Sequence, residues 1–234
     1  MAKDYKLYID GKWVESESDE LFETINPANG EILGRFPSGT RNDVRRAIEA
    51  AERAFVKWKN TPPPKRGEIL LKAASILRNR KEEIARIVTQ EMGKVIAEGR
   101  GDVQESIDFL EYIAGEGRRL LGITTPSELP NKFCATVRLP VGVVGIITPW
   151  NFPTAIPIWK IGAALICGCT IVFKPASFTP LSAAKLVEIF EEAGLPNGVL
   201  NFVTGSGSEV GREICENPKI KAISFTGGVD AGRD

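Results

Sequence analysis

Val141-Gly-Val-Val-Gly-Ile-Ile-Thr-Pro-Trp-Asn-Phe-Pro153, an apolar segment, then Thr170-Ile-Val-Phe-Lys-Pro175: the reading of this stretch decides the fold. Two runs rich in β-branched residues, each stopped by polar residues or proline, flank several helical turns' worth of Ala, Ile, Leu and Gly. That is the pattern of a buried strand, helix and strand. Ligands of open parallel sheets settle beyond the carboxyl ends of the strands. A site is therefore expected at Thr148, Pro149, Trp150 and Asn151, where the first strand stops. Pro149 and Pro153 stiffen this turn, and the Asn151 side-chain amide can both donate and accept hydrogen bonds.

The same alternation continues towards the carboxyl terminus. Strands at 141–148, 170–174, 199–204 and 221–226 alternate with helices at 154–168, 180–193 and 208–216. Thr179-Pro180 and Gly194-Leu-Pro-Asn-Gly198 supply start and stop signals. Right-handed crossovers make this an α/β, Rossmann-like parallel sheet with flanking helices, spanning 141–234. Ala231-Gly-Arg-Asp234 follows directly on the last strand and its glycine turn. A doubly wound sheet seldom stops there, so either further elements belong to it or its last helix is absent by design.

Towards the amino terminus, Tyr5 to Val14 alternates around Asp10-Gly11, and Phe22–Ile25 and Glu31–Phe36 flank Asn26-Pro-Ala-Asn-Gly30. Residues 1–40 thus read as two β-hairpins, their edges expected on the helical layer or a neighbouring subunit. Residues 41–122 read as a helical layer. Thr40 caps a helix striped by Val44, Ile48, Ala51 and Phe55, and Thr61-Pro-Pro-Pro64 breaks the chain before Ile69, Leu70, Ala73, Ile76 and Leu77. Ile84, Ile87 and Val88 mark a third helix; Val103, Ile107, Leu110 and Ile113 mark a long one running towards Gly122. The many Lys, Arg and Glu residues here read as solvated faces. Phe133 to Leu139 reads as a strand in an excursion over 131–140.

Lys+Arg and Asp+Glu each number 30 in 234 residues, so the formal net charge is zero and neither nucleic acid nor an anionic membrane is favoured as partner. The first ten residues are too polar for a signal peptide. The apolar run Ile156–Cys169 is too short to span a bilayer and is interrupted by Pro157, Lys160 and Gly162, so a cytoplasmic protein is expected. The absence of histidine removes Ser-His and Cys-His pairs and the commonest metal ligand. Cys134, Cys167, Cys169 and Cys215 lack the paired spacing of a metal site, and Cys167 and Cys169 read as small buried hydrophobes.

Gly205-Ser-Gly-Ser-Glu-Val-Gly211 follows a strand and opens a helix; it suits either a phosphate on backbone amides or a plain flexible loop. Phe225-Thr-Gly-Gly228 repeats the logic after the next strand, and two adjacent glycine turns favour a nucleotide. Lys174, at the end of a buried strand, is costly to desolvate unless it meets an anion or a hydroxyl. Ser177 suits a turn cap or a contact to the same ligand, and Trp150 suits core packing or a cleft wall.

These residues carry a resemblance to the aldehyde dehydrogenase superfamily over nearly the whole chain. Thr148-Pro-Trp-Asn-Phe-Pro153, Phe173-Lys-Pro-Ala-Ser177, Gly194-Leu-Pro-Asn-Gly198, Gly205-x-Gly207-x-x-x-Gly211 and Phe225-Thr-Gly227 stand in the family's order and spacing. Phe173 to Leu186 looks most similar to ketoglutarate-semialdehyde dehydrogenases, with succinate-semialdehyde dehydrogenases close behind. The resemblance implies oxidation of a small-molecule aldehyde, a semialdehyde, to a carboxylate with NADP or NAD, in an enzyme whose full-length members are homo-oligomers.

Residue by residue, the resemblance makes Asn151 the side-chain oxyanion donor and places Lys174 and Ser177 at the adenosine ribose. It runs the backbone of Ile147, Thr148, Pro149 and Trp150 along the dinucleotide. It brings Gly207, Gly211 and the Phe225-Thr226-Gly227-Gly228 turn to adenine and pyrophosphate, and sets Phe152 and Trp159 in a substrate tunnel. Gly228 replaces the family's frequent serine and loses a hydroxyl contact. The family's nucleophilic cysteine and general-base glutamate lie downstream of this turn. Residues 1–234 are accordingly expected to be an NAD(P)-binding domain truncated before the catalytic domain and inactive alone. The alternative is a non-catalytic dinucleotide-binding or assembly module.

Overall fold

The computed structural model describes residues 3–233. The chain opens with β1 (Lys3–Asp4), β2 (Leu7–Ile9) and β3 (Lys12–Val14), then β4 (Leu21–Ile25) and β5 (Ile32–Pro37). Four helices follow: α1 (Arg41–Trp58), α2 (Pro63–Asn79), α3 (Lys81–Met92) and α4 (Ile96–Glu116). A two-residue ribbon, β6 (Thr124–Thr125) with β7 (Cys134–Ala135), leads into β8 (Val143–Ile147), α5 (Ala155–Ile166), β9 (Thr170–Lys174) and α6 (Pro180–Glu192). The chain then forms β10 (Leu200–Phe202), a π-helical turn (Gly207–Gly211), α7 (Arg212–Glu216), β11 (Ile220–Phe225) and α8 (Val229–Arg233).

The main sheet runs β11-β8-β9-β10-β2-β3. Its first four strands are parallel, and β2 then pairs antiparallel with β10 through Tyr8 and Phe202, with β3 antiparallel to β2. The sheet is therefore mixed. The first hairpin extends it directly, in place of the expected packing on the helical layer or a neighbouring subunit. The physical reason is a bare β10 edge next to a hairpin made rigid by its turn. Asp10 and Gly11 both take positive φ, 54° and 75°, as a type I′ turn requires, and the Asp10 N–H is received by the buried Asn201 side chain at 3.0 Å. The second hairpin stands apart in a β1-β5-β4 sheet.

Burial explains why β8 and β9 read as continuous apolar runs. Val144, Ile146, Ile171 and Phe173 point into one core with Leu70, Ile107, Leu110, Ile161 and Phe190. The alternate residues Val143 and Val172 point into a second core with Val44, Ile48, Val203 and Ile214. Helix α1 covers this second face. Its start is fixed by a capping box in which the Thr40 hydroxyl accepts from Asp43 N while Asp43 accepts from Thr40 N.

Two other expectations change. Pairing within 131–140 is limited to Cys134–Ala135 and one further bond from Thr136 N to the Ile123 carbonyl, and Phe133, Val137 and Leu139 are exposed, because a two-stranded ribbon with no apolar face against it sustains little pairing. The charged residues of the helical layer are not all solvated: Arg66, Glu91, Lys94 and Asp102 are buried, each bonded to backbone at the end of another element. No helix among the described residues is long and apolar enough to cross a membrane.

Candidate functional site

The carboxyl ends of β8, β9 and β11 open onto two joined clefts. One, of about 490 Å³, is lined by Ile147, Lys174, Gly207, Ser208, Gly211, Arg212, Cys215, Glu216, Phe225 and Ala231. The other, of about 440 Å³, is lined by Ile147, Thr148, Pro149, Trp150, Asn151, Phe225, Thr226, Gly227, Gly228 and Ala231. Ile147, Phe225 and Ala231 belong to both, so the two form one groove across the strand ends. Adjacency in the sheet is what brings these sequence-distant residues together, since β8 lies between β11 and β9.

Within the first cleft Lys174 is 5% exposed, and its ammonium donates to the Pro175 carbonyl at 3.1 Å. No acidic group pairs with it among the described residues, and burial pulls it down to about 8. Gly211 packs beside it, at a distance where a Cβ would stand in ordinary contact, 3.9 Å from the lysine Cδ. The expected amide cradle at 205–211 is partly spent internally. The Ser206 side chain receives Glu209 N, and the Ser206 carbonyl receives both Val210 N and Gly211 N, the latter closing the π turn. At the head of the second cleft the buried Thr148 hydroxyl has no hydrogen-bond partner, the kind of orphan a bound ligand satisfies.

The remaining sequence-picked residues disperse. Ser177 is exposed, donates to the Gly205 carbonyl at 3.2 Å, and lines a neighbouring cleft of about 390 Å³ with Trp150 and Glu91. Phe152 is partly exposed beneath the Lys94 ammonium, 4.2 Å from its ring centroid. Trp159 lines a further cleft of about 740 Å³ with Arg66, Arg138, Lys160 and Cys167, which meets the Asn151 cleft at Thr226. Cys169 is buried, whereas Cys167 and Cys215 are exposed, Cys167 because it caps the end of α5 where the helix leaves the core. Burial nevertheless raises both of these thiols above their ordinary value, opposite to what a nucleophile needs.

Sequence reasoning passed over Ser208, Arg212, Cys215 and Glu216 as cleft residues and Lys94 and Asp102 as buried anchors. The first four recur at helical spacing from within the glycine turn onwards, a signal that was present. The anchors carry no local signal. No cluster of three metal-type side chains occurs among the described residues.

The residues fit a dinucleotide: a buried cation without an acidic partner, an orphaned hydroxyl, and open space at Gly207 and Gly228, where a Cβ would meet nothing within 4 Å. A mixed α/β sheet with a groove across its strand ends is an architecture that dinucleotide-binding proteins share. A sequence model described as "Aldehyde dehydrogenase family" matches residues 13–234, and the chain belongs to that family.

Among its relatives, it is 45% identical to the alpha-ketoglutaric semialdehyde dehydrogenase of Bacillus subtilis over 98% of this chain and 47% of that protein. It is 41% identical to the NADP(+) succinate-semialdehyde dehydrogenase of Escherichia coli over 96% and 47% respectively. A solved lactaldehyde dehydrogenase superposes with a TM-score of 0.97 at 37% identity, covering all of this chain and 49% of that one. The chain spans about half the length of the curated relatives it matches.

Proposed function

We propose that these residues supply the NAD(P) groove and one oxyanion donor of an aldehyde dehydrogenase that oxidises a semialdehyde to a carboxylate. A bound nicotinamide would supply the hydride acceptor. Lys174 and Ser177 hold the adenosine ribose, Ile147 to Trp150 run along the dinucleotide, and Gly207, Gly211, Phe225, Thr226 and Gly228 approach adenine and pyrophosphate. The observation that carries this reading is the buried Lys174 ammonium, without an acidic partner among the described residues, opening onto a groove that ends at Asn151. Asn151 presents its amide to the carbonyl oxygen as charge develops there, an interaction whose removal costs about 3 to 4 kcal/mol of transition-state stabilisation. Phe152 and Trp159 grip the apolar part of the aldehyde, and the names of the semialdehyde-oxidising relatives support that substrate class. The working enzyme is a cytoplasmic homo-oligomer.

The cleft around Asn151 itself is lined by neither a thiol nor a carboxylate, and in the adjoining cleft burial holds the Cys215 thiol above its ordinary value, so residues 1–234 are expected not to oxidise aldehydes by themselves. Because Ser177 carries no charge to repel a 2′-phosphate, NADP binds at least as well as NAD. Calorimetric titration of the chain with both nucleotides, followed by an aldehyde oxidation assay at confirmed mass, tests the reading. Binding without turnover supports it. Turnover abolished by replacing any of the four cysteines overturns the inactivity, and failure to bind either nucleotide overturns the groove.

A further inference from the structure

Asn151 is exposed at the groove, and among the described residues nothing hydrogen-bonds its side-chain amide. The direction in which that side chain leaves the chain, along its Cα–Cβ bond, is set by its backbone, and the backbone is held from one side by two buried charges. The Lys94 ammonium donates to the Asn151 carbonyl at 2.8 Å and to Asp102 Oδ2 at 3.3 Å, and sits over the Phe152 ring. The other oxygen of Asp102 receives the Thr154 hydroxyl and the Ala155 N–H, both at 2.8 Å, at the start of α5. Residues 151, 152, 154 and 155 are thus each engaged by one buried ion pair.

The side chains of Lys94 and Asp102 are 5% and 0% exposed. A buried ion pair gives back little stability for the desolvation it costs, and well-packed apolar residues often serve as well. What apolar residues cannot supply is a donor for the Asn151 carbonyl and an acceptor for the first turn of α5. Gly93, with φ 88°, ends α3 in the left-handed region just before Lys94, where the chain turns from α3 towards α4.

We propose that Lys94, through its buried pair with Asp102, is a positioning residue that sets the aim of the Asn151 amide. This rests on the reading of Asn151 as the oxyanion donor beside a nucleotide groove. Lys94 lines neither of the two joined clefts; it acts through the carbonyl bonded to the same Cα that carries the Asn151 side chain.

The test uses the isotopically labelled 234-residue chain, with the Asn151 side-chain amide identified by its loss in Asn151→Asp. In Lys94→Met the Asn151 amide and the Trp150 indole are expected to shift and lose order, while the backbone amides of Ile146 and Phe173 stay in place. NADP affinity is expected to fall by a few-fold, because the Ile147–Trp150 backbone proposed to run along the dinucleotide ends at the Asn151 carbonyl that Lys94 holds. Lys94→Arg is expected to restore both. An unmoved Asn151 amide in folded Lys94→Met, a disturbance spread equally over β8 and β9, or failure of Lys94→Arg to restore the signals overturns the proposal. Should Lys94→Met not fold, Asp102→Asn carries the same measurement, and an unmoved Asn151 amide there overturns it equally. A wild-type chain that binds no NADP defeats the nucleotide reading alone, because the amide signals still decide the role of Lys94.

Discussion

Ser182 gives both of its polar hydrogens to Glu91: its backbone N–H and its hydroxyl reach Oε2 at 2.7 and 2.6 Å. Leu181 N at 2.6 Å and the Thr24 hydroxyl at 3.1 Å reach Oε1. A carboxylate at the end of α3 thereby caps the first turn of α6 and ties down β4, doing for α6 what the Thr179 side chain does not. Replacing it by alanine strands these donors in a buried site. Glu91→Ala is expected to cost about 3 kcal/mol and to lower the melting temperature by about 6 to 12 °C. Thermal denaturation checks this, and a variant melting with the wild type refutes it.

The same residue makes stability depend on pH. Burial pushes the Glu91 carboxyl up to about 7 against four donated hydrogen bonds that pull it down. With the folded value raised above 4.5, the folded state holds the proton longer than the unfolded one. Stability contributed at this site is highest below about pH 4.5 and declines until about pH 7, above which it is flat. The difference in unfolding free energy between wild type and Glu91→Gln is expected to fall across that window. A difference that rises with pH would contradict the assignment.

Lys174 bears the opposite relation. Its folded value of about 8 lies below the ordinary 10.5, so the cost of burying the ammonium is fully present below about pH 8 and is relieved between there and about 10.5. Lys174→Met is expected to stabilise the isolated chain by about 1 to 3 kcal/mol at neutral pH while weakening nucleotide binding. Nucleotide binding near pH 8 is expected to take up protons, measurable by calorimetry in buffers of different ionisation enthalpy. A methionine variant that is less stable and binds NADP unchanged would count against both roles.

Ser177 is exposed beside the Gly205 turn, and the substitution Ser177→Glu adds a charge there. A carboxylate near a 2′-phosphate costs between about 1 and about 4 kcal/mol according to local screening. NADP affinity is expected to fall by about tenfold or more, and NAD affinity by much less. Equal losses for the two nucleotides would remove Ser177 from the ribose site.

Much of the sheet was legible because its signals are local. The β-branched runs at Val143–Ile147 and Thr170–Lys174, the Thr40–Asp43 box and the Asp10-Gly11 turn each declare their conformation within a few residues. The attachment of the first hairpin was not legible, because it depends on Phe202 meeting Tyr8 across almost the whole chain. The groove was legible as separate strand ends, but not as two joined clefts, nor in the placement of Ser177 and Trp159 in adjoining clefts that meet it at Trp150 and Thr226.

By itself, then, the sequence of Val141–Lys174 determined that two strands and a helix would be buried with polar residues at the strand ends, because hydrophobic periodicity is a property of neighbouring residues. Only the tertiary structure decided which charges would be buried with them. Glu91, Lys94 and Asp102 look like solvated helix residues until Ser182, Asn151 and Ala155 arrive from far along the chain, for the free energy of a buried charge is set by the partners that replace its water.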